Sequence, residues 1–420
     1  MAHCYINFLV KKSKTSSIST QAMKLLILEP NRRTVNLWSP LFFYLAQKTG
    51  LELQIVIPNI TTQAYHELKN SKYYIGDQCT HKLRACFKNL SQKGHTALLA
   101  FSSRLGTIIK DFCPDVIHVT GECGYVATAQ ALYYRQKYCP SCGFTVFGGQ
   151  NIYKHYLFPF PHIEKYVLNR TDAVFAIGNE HEEVVRLKGF EGPVSQIPLG
   201  VDTDIFYPIS RKNVSVIDKV PKAKFILGFV GKIIEQKGIY TLLETLQNLP
   251  EDIHLLLIGN GRERGKFQSR IKKLSLDGRI TRINRIPHFK MPLYINLMDT
   301  LILPSKQTQT SNIIPLLPIP WKEQFGRVLV EAMACKKPVI GSQSGEIPNV
   351  IGPGGLTFAP EDKNQLAKQI LRLRNSKELC SRLAEKGYER VQKIYSWRVI
   401  AERMLNQWYQ LRGLETCIND

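Results

Sequence analysis

A chain of 420 residues, 44% hydrophobic and 21% charged, is globular and longer than one ordinary core, so two domains of roughly 200 residues each are expected. No stretch supplies the ~20 continuous apolar residues of a membrane-spanning helix. Lys plus Arg number 56 against 34 Asp plus Glu, a formal charge of +22 shared by both halves, and such a field favours polyanions: nucleotide phosphates, nucleic acid or an acidic lipid surface.

At the amino terminus Lys11, Lys12 and Lys14 follow a short apolar run instead of preceding it, the wrong order for a secretory signal. Residues 1–22 are expected as a disordered extension or a stretch upstream of the true start. From Met23 onward, short apolar runs alternate with helical patterns. The runs cover 24–30, 53–58, 115–120, 144–149, 173–178 and 194–200, then 225–231, 254–261, 280–284, 300–305, 338–342 and 356–360. Continuous apolarity marks strands covered on both faces, so each half is read as a doubly wound parallel α/β sheet. The Pro-, Ser- and Asp-bearing stretch around 198–220 divides a domain at 23–200 from one at 201–395. The last segment, 396–420, holds Trp397, Ile400, Met404, Trp408 and Leu411 at helical spacing and reads as an amphipathic helix with an aromatic face. The span 65–112, basic and with Leu83, Phe87 and Leu90 at helical spacing, could lie on an acidic leaflet. The ten cysteines follow no framework, so reduced thiols are expected; Cys139 and Cys142 in "YCPSCGF" have zinc or redox spacing but no second pair, and read as a turn into a strand.

Chemistry concentrates in "WKEQFGRVLVEAMACKKPVIG" (321–341). A helix beginning near Gly326 leaves the N–H groups of Gly326, Arg327 and Val328 unused inside the helix, at the positive end of its dipole, which suits an anion such as a diphosphate. Gly326 removes the side chain that would block close approach. Glu323 lies before that helix and Glu331 about two turns along it, so the carboxylates can accept hydroxyl hydrogen bonds from a sugar on one side and a ribose on the other. The plainer alternative makes Glu323 a helix cap and Glu331 a surface charge.

The segment "PSKQTQTSNIIPLLPIPWKEQFGRVLVEAMACKKPVIGSQSGEIPNVIG" resembles the signature region of the family 4 retaining glycosyltransferases, which carry two glutamates seven residues apart. "GFVGKIIEQKGIYTLLETL" (228–246), "LLLIGNGRERGKF" (255–267), "YINLMDTLILPS" (294–305) and "IPLGVDTDIF" (197–206) agree in order, and the resemblance spans roughly 24–412. It implies the GT-B fold: two Rossmann-like domains facing a cleft, with the last helix packing back on the first. It also implies sugar transfer from a UDP- or GDP-sugar with no required metal or cofactor. Carried over by position, Lys232 and Lys237 would contact the donor diphosphate, Glu323 the sugar and Glu331 the ribose. Gln324, Phe325, Gly326, Arg327 and Val328 would line the pocket, with Gly231, Gly259 and Gly261 in the turns beside the nucleotide. The acceptor would be a glycan or lipid-linked molecule of cell-envelope assembly, and the enzyme cytoplasmic or peripheral on the cytoplasmic face.

The chain departs from the family pattern at several points. Lys336 stands where glycine is usual, and 306–320 is longer than expected before the first glutamate. After the first strand the chain has "EPNRRTVNLWSPL", where Arg32, Arg33 and Asn36 would face an acceptor, joined by Glu122 and Gln150 at strand ends. His118 reads as a core histidine. Asp202-Thr203-Asp204 has the Asp-x-Asp form of metal-dependent transferases but lies between domains and reads as a turn. No Gly-x-Gly-x-x-Gly follows the first strand, which argues against a dinucleotide oxidoreductase. The rival readings are a GT-B nucleotide-sugar epimerase and a basic membrane-surface or nucleic-acid binder without catalysis. Nucleic acid is disfavoured by the lack of an aromatic-basic platform or zinc module.

Overall fold

The computed structural model of the chain describes residues 22–31, 34–58, 74–77, 96–156, 158–214, 225–310 and 319–413. Arg32, Arg33, Leu83, Phe87, Leu90 and nearly all of the 1–22 extension lie outside the described residues.

The apolar runs of the first half become β1 (Met23–Leu28), β2 (Leu51–Pro58), β4 (Val116–Thr120), β5 (Gly143–Gly148), β6 (Ala173–Ala176) and β7 (Val194–Gln196), and a further strand, β3 (Tyr74–Asp77), joins them. They form one parallel sheet in the order β3-β2-β1-β4-β5-β6-β7. The second half gives β8 (Phe225–Val230), β9 (Ile253–Ile258), β10 (Ile280–Ile283), β11 (Thr300–Leu303), β12 (Thr308–Thr310), β13 (Ile319–Trp321), β14 (Val339–Ser342) and β15 (Gly355–Phe358). Six of these make a second parallel sheet, β10-β9-β8-β11-β14-β15, while β12 and β13 pair as an antiparallel hairpin. All residues of β4 and of β9 are buried, as a strand covered on both faces requires. The β3 and β12 strands, "YIGD" and "TQT", carry no continuous apolar run, and β13, "IPW", is only three residues long with a proline at its centre, so periodicity does not reveal them.

The closing helix Trp397–Leu411 leaves the second half and packs on the first sheet. Trp408, fully buried, lies against Phe175 with ring centroids 5.7 Å apart and donates Nε1–H to Thr145 Oγ1 at 3.2 Å. Trp397 meets Trp38 at 5.5 Å. His118 is buried in the same core, its Nδ1 2.8 Å from Thr145 Oγ1, and burial holds its pKa down to about 3, so the ring is neutral. Asp202 accepts the Asp204 amide at 3.0 Å while its carbonyl takes the amides of Ile205 and Phe206, which makes the Asp-x-Asp stretch a turn. Among the described residues no helix is long and apolar enough to cross a membrane.

Candidate active site

Strand order reverses between β8 and β11, and in such sheets the carboxyl ends of the two diverging strands open a crevice. Lys232 follows β8, exposed and without a side-chain partner among the described residues. A single turn, Glu235–Lys237, then leads into the helix Ile239–Gln247 through Gly238 at φ +66°. A Cβ on Gly238 would stand 1.7 Å from the Pro304 carbonyl oxygen, so only glycine lets this turn lie on the end of β11. Lys237 is thereby aimed at the second half of the site. Its ammonium donates to Glu323 Oε2 at 2.5 Å, Ser305 Oγ donates to the same oxygen at 2.6 Å, and the Trp321 ring centroid lies 5.7 Å from Nζ. Glu323 is therefore held between two donors and does not cap the helix that follows it.

That helix, Arg327–Ala334, starts from Gly326 at φ +83°, where an added Cβ would come within 2.7 Å of Leu303 Cδ2. No side chain caps it, and among the described residues no acceptor meets the N–H groups of Gly326, Arg327 or Val328. Glu331, only 4% exposed, sits on the same helix with Oε1 3.0 Å from Arg327 Nε and 2.8 Å from His288 Nε2. His288 comes from the loop after β10, lies tilted against Phe206 with ring centroids 5.0 Å apart, and carries no periodic or motif signal in the sequence. Phe325 corrects an expectation: its ring is buried against Tyr395 at 5.9 Å, so only its backbone is left to line a pocket. Gly259 and Gly261 serve the loops themselves. A Cβ on either would strike the carbonyl of Gly231 or Ile233, at 1.8 and 2.1 Å, so they let the loops after β8 and β9 lie in contact. The helix ends with Lys336 at φ +51°, the left-handed position where glycine is favoured, and Lys336 Nζ pairs with Glu385 at 2.8 Å.

The first sheet presents its strand ends to the same place. Asn151, after β5 and 2% exposed, donates to Glu180 Oε2 at 2.9 Å and to the Glu323 carbonyl at 3.0 Å. Gln324 Nε2 returns a bond to the Gly149 carbonyl at 2.8 Å, and Lys322 pairs with Glu180. Glu346 Oε1 accepts the Glu180 amide at 2.6 Å, at the start of the helix Asn179–Leu187. Glu122 Oε1 accepts the Gly149 amide at 2.8 Å, and its Oε2 lies 3.6 Å from His181 Nε2. Burial raises the Glu122 pKa, but His181 and the Gly149 amide outweigh it and the net shift is downward, so the carboxylate is ionised. Gln150 is tied to the Ile152 carbonyl and to Lys154, each at 3.0 Å, whereas Asn36 is exposed on the first turn of the helix Val35–Ala46. Glu29, fully buried at the end of β1, has Oε1 2.7 Å from the Asn31 amide and Oε2 2.9 Å from Thr120 Oγ1. Burial pushes its pKa up to about 8.

Two family models meet end to end on this architecture. The one described as Glycosyl transferases group 1 matches residues 210–390, and Glycosyltransferase Family 4 matches residues 44–205. The chain belongs to the group 1 glycosyltransferases. It is 30% identical over 171 residues to an uncharacterized glycosyltransferase of Methanocaldococcus jannaschii, covering 40% of this chain and 43% of that one. It is 22% identical over 258 residues to the GDP-mannose-dependent monoacylated alpha-(1-6)-phosphatidylinositol monomannoside mannosyltransferase of Corynebacterium glutamicum, covering 58% and 60%. The matches thus span about half the length of these curated relatives. The GT-B fold is shared with Anabaena HepE in complex with UDP, at TM-score 0.68 and 15% identity, over 92% of this chain and all of that one. In this glycosyltransferase the Lys237–Glu323 contact and the uncapped helix at Gly326 both fall within the stretch matched by the group 1 model.

Proposed function

We propose that this glycosyltransferase moves a sugar, with retention of anomeric configuration, from a nucleotide-diphospho-sugar to a hydroxyl of a glycan or lipid-linked acceptor in cell-envelope polysaccharide assembly. The observation that carries the reading is the uncapped start of the helix at Gly326 beside the Lys237 ammonium and the Glu323 carboxylate. Three amides without acceptors, Lys237 and the unpartnered Lys232 form a cationic surround for the two phosphates of a donor. Glu323 then holds a sugar hydroxyl, and Glu331, one helix face further in, holds the ribose.

As the acceptor hydroxyl attacks the anomeric carbon, the bond from that carbon to the phosphate oxygen breaks and negative charge grows on the leaving diphosphate. Lys232, Lys237 and the helix amides stabilise that charge more than they stabilise the bound donor, which is the condition for rate acceleration. The acceptor proton passes to the leaving phosphate, and Glu323 positions the sugar without a covalent step. Asn36, Glu122 and Gln150 are read as the acceptor side, and no metal or cofactor is assigned a part. The strongly basic surface suits an acidic cytoplasmic leaflet carrying a lipid-linked acceptor.

The test is a panel of UDP- and GDP-sugars screened for protection against thermal unfolding, followed by transfer from the protecting donor to lipid-linked acceptors. The HepE and corynebacterial names include UDP and GDP-mannose respectively, so both bases belong in the panel. An α-configured product from an α-configured donor supports the reading. Donor isomerisation without transfer would replace it with an epimerase.

A further inference from the structure

We propose that Cys113 and Cys139 form a reversible disulfide by exchange with a low-molecular-weight disulfide, making this corner of the first lobe a redox modification site. The two Sγ atoms lie 3.5 Å apart. Cys113 is exposed at the end of the helix Arg104–Phe112, and Cys139 is buried at the end of the helix Val126–Tyr138. The two residues meet at one carbonyl: Ile109 O accepts the Cys113 backbone amide at 3.0 Å and the Cys139 thiol at 3.5 Å. The helices are pressed together at Gly106, where a Cβ would stand 2.9 Å from the Tyr134 ring, so the sulfurs are held by packing.

Two features favour this pairing over the Cys-x-x-Cys pair suggested by sequence. Cys142 Sγ is occupied at 3.3 Å with the Gly143 carbonyl, inside the turn in which the Cys142 amide bonds to the Cys139 carbonyl. Cys113 occupies a left-handed conformation, φ 46° and ψ 65°, that usually falls to glycine, and a side chain kept there faces Cys139 at an energetic cost. Metal ligation is not a competing use, because among the described residues no three His, Cys, Asp or Glu are grouped to hold an ion.

The chemistry assigns the order of events. The exposed Cys113 thiolate attacks one sulfur of RSSR and expels RS⁻, leaving Cys113–S–S–R. Cys139 then releases its proton to solvent and attacks the Cys113 sulfur, expelling the second RS⁻. Two protein thiols lose two hydrogens in all, and RSSR is reduced to two RSH. Burial, the largest cause holding the Cys139 thiol above its ordinary value, persists once Cys113 is in the mixed disulfide, so this second step accelerates with rising pH. The bond would join the chain just ahead of β4 to the chain just ahead of β5, at the amino ends of these strands and away from the crevice. Its effect is then on stability, through closure of the intervening loop, and not on sugar transfer.

Incubating the full chain with glutathione disulfide at mildly alkaline pH, then alkylating and mapping unreduced peptides by mass, tests the proposal. The expected product is a Cys113–Cys139 cross-linked peptide that dithiothreitol dissolves, that forms equally in Cys142→Ser, and that raises the melting temperature by several degrees. Cys113→Ser should lose both the cross-link and the shift, while Cys139→Ser should stop at glutathione bound to Cys113. A Cys139–Cys142 bond, glutathione retained on Cys113 in the unaltered chain, or a Cys113 that remains alkylatable throughout each overturns it.

Discussion

Asn151 of the first lobe donates its side-chain amide to the backbone carbonyl of Glu323 in the second, at 3.0 Å, from 172 positions away in the chain. Its other recorded partner is Glu180, itself paired with Lys322 next to Glu323, so the donor-side glutamate is held by a polar bridge across the crevice. A buried bridge with both partners in place fixes geometry, and deleting Asn151 leaves the Glu323 carbonyl with the Glu346 amide alone, at 3.2 Å, and takes a donor from Glu180 Oε2, a loss of about 1–3 kcal/mol. Asn151→Ala is expected to lower kcat by roughly 5- to 100-fold with a smaller change in donor KM. A kcat equal to that of the unaltered enzyme would show that the bridge does not position Glu323.

Lys237 makes a second prediction. Its partner Glu323 keeps the Ser305 hydroxyl if the ammonium is removed, and the Lys237 and Glu323 side chains are 20% and 11% exposed, so the fold retains part of the interaction. Charge on a leaving diphosphate would be left to Lys232 and the helix amides, without the ammonium aimed from the Glu323 side. Lys237→Ala is expected to reduce kcat/KM by about 100-fold or more while unfolding free energy falls by no more than about 2 kcal/mol. Paired activity assays and urea titrations check this, and unchanged turnover would refute the role.

Glu331 separates binding from chemistry. Its Oε1 is engaged by Arg327 and lies beside His288, and its proposed task is to hold the ribose, which does not change during transfer. Glu331→Gln keeps the shape but removes the charge that these donors face. Donor KM is expected to rise by about 10-fold or more, with kcat within about 3-fold. Titration with free nucleotide should show the same loss of affinity; a selective loss of kcat would reassign Glu331 to the reacting end.

How much of this was legible in the sequence follows from what each feature depends on. The two sheets were readable because burial on both faces writes a continuous apolar run, as in "HLLLI" of β9. The helix start at Gly326 was readable because one local constraint, a left-handed residue before an apolar periodic stretch, fixes it. Lys237 and Glu323 are 86 positions apart, and only the family pattern joined them. Asn151, His288 and Glu346 were missed because single polar residues in loops carry no period, and their partners come from distant elements. Phe325 was misread for a related reason: whether a ring beside a glycine faces the crevice or the core is set by the packing of Tyr395, 70 positions away by residue number.

Glu29 supplies a pH prediction. Its carboxyl is fully buried with a pKa raised to about 8 by that burial. The neutral form fits its surroundings: a proton on Oε2 can be donated to Thr120 Oγ1 at 2.9 Å, which in turn donates to the Leu28 carbonyl at 3.2 Å. Because the folded pKa lies above the ordinary value of 4.5, the native state keeps a proton that the unfolded chain loses between those limits. The contribution is fully present below pH 4.5 and declines as pH rises toward about 8, with a slope of at most about 1.4 kcal/mol per pH unit. Glu29→Gln replaces the titrating proton by a permanent N–H donor, so its stability lacks this decline. Urea unfolding is expected to give similar values for the two proteins near pH 5 and an advantage of about 2–4 kcal/mol for the variant near pH 8. A difference that does not grow with pH would mean that Glu29 is ionised in the folded chain, and that the bond between β1 and β4 is carried by a charged carboxylate.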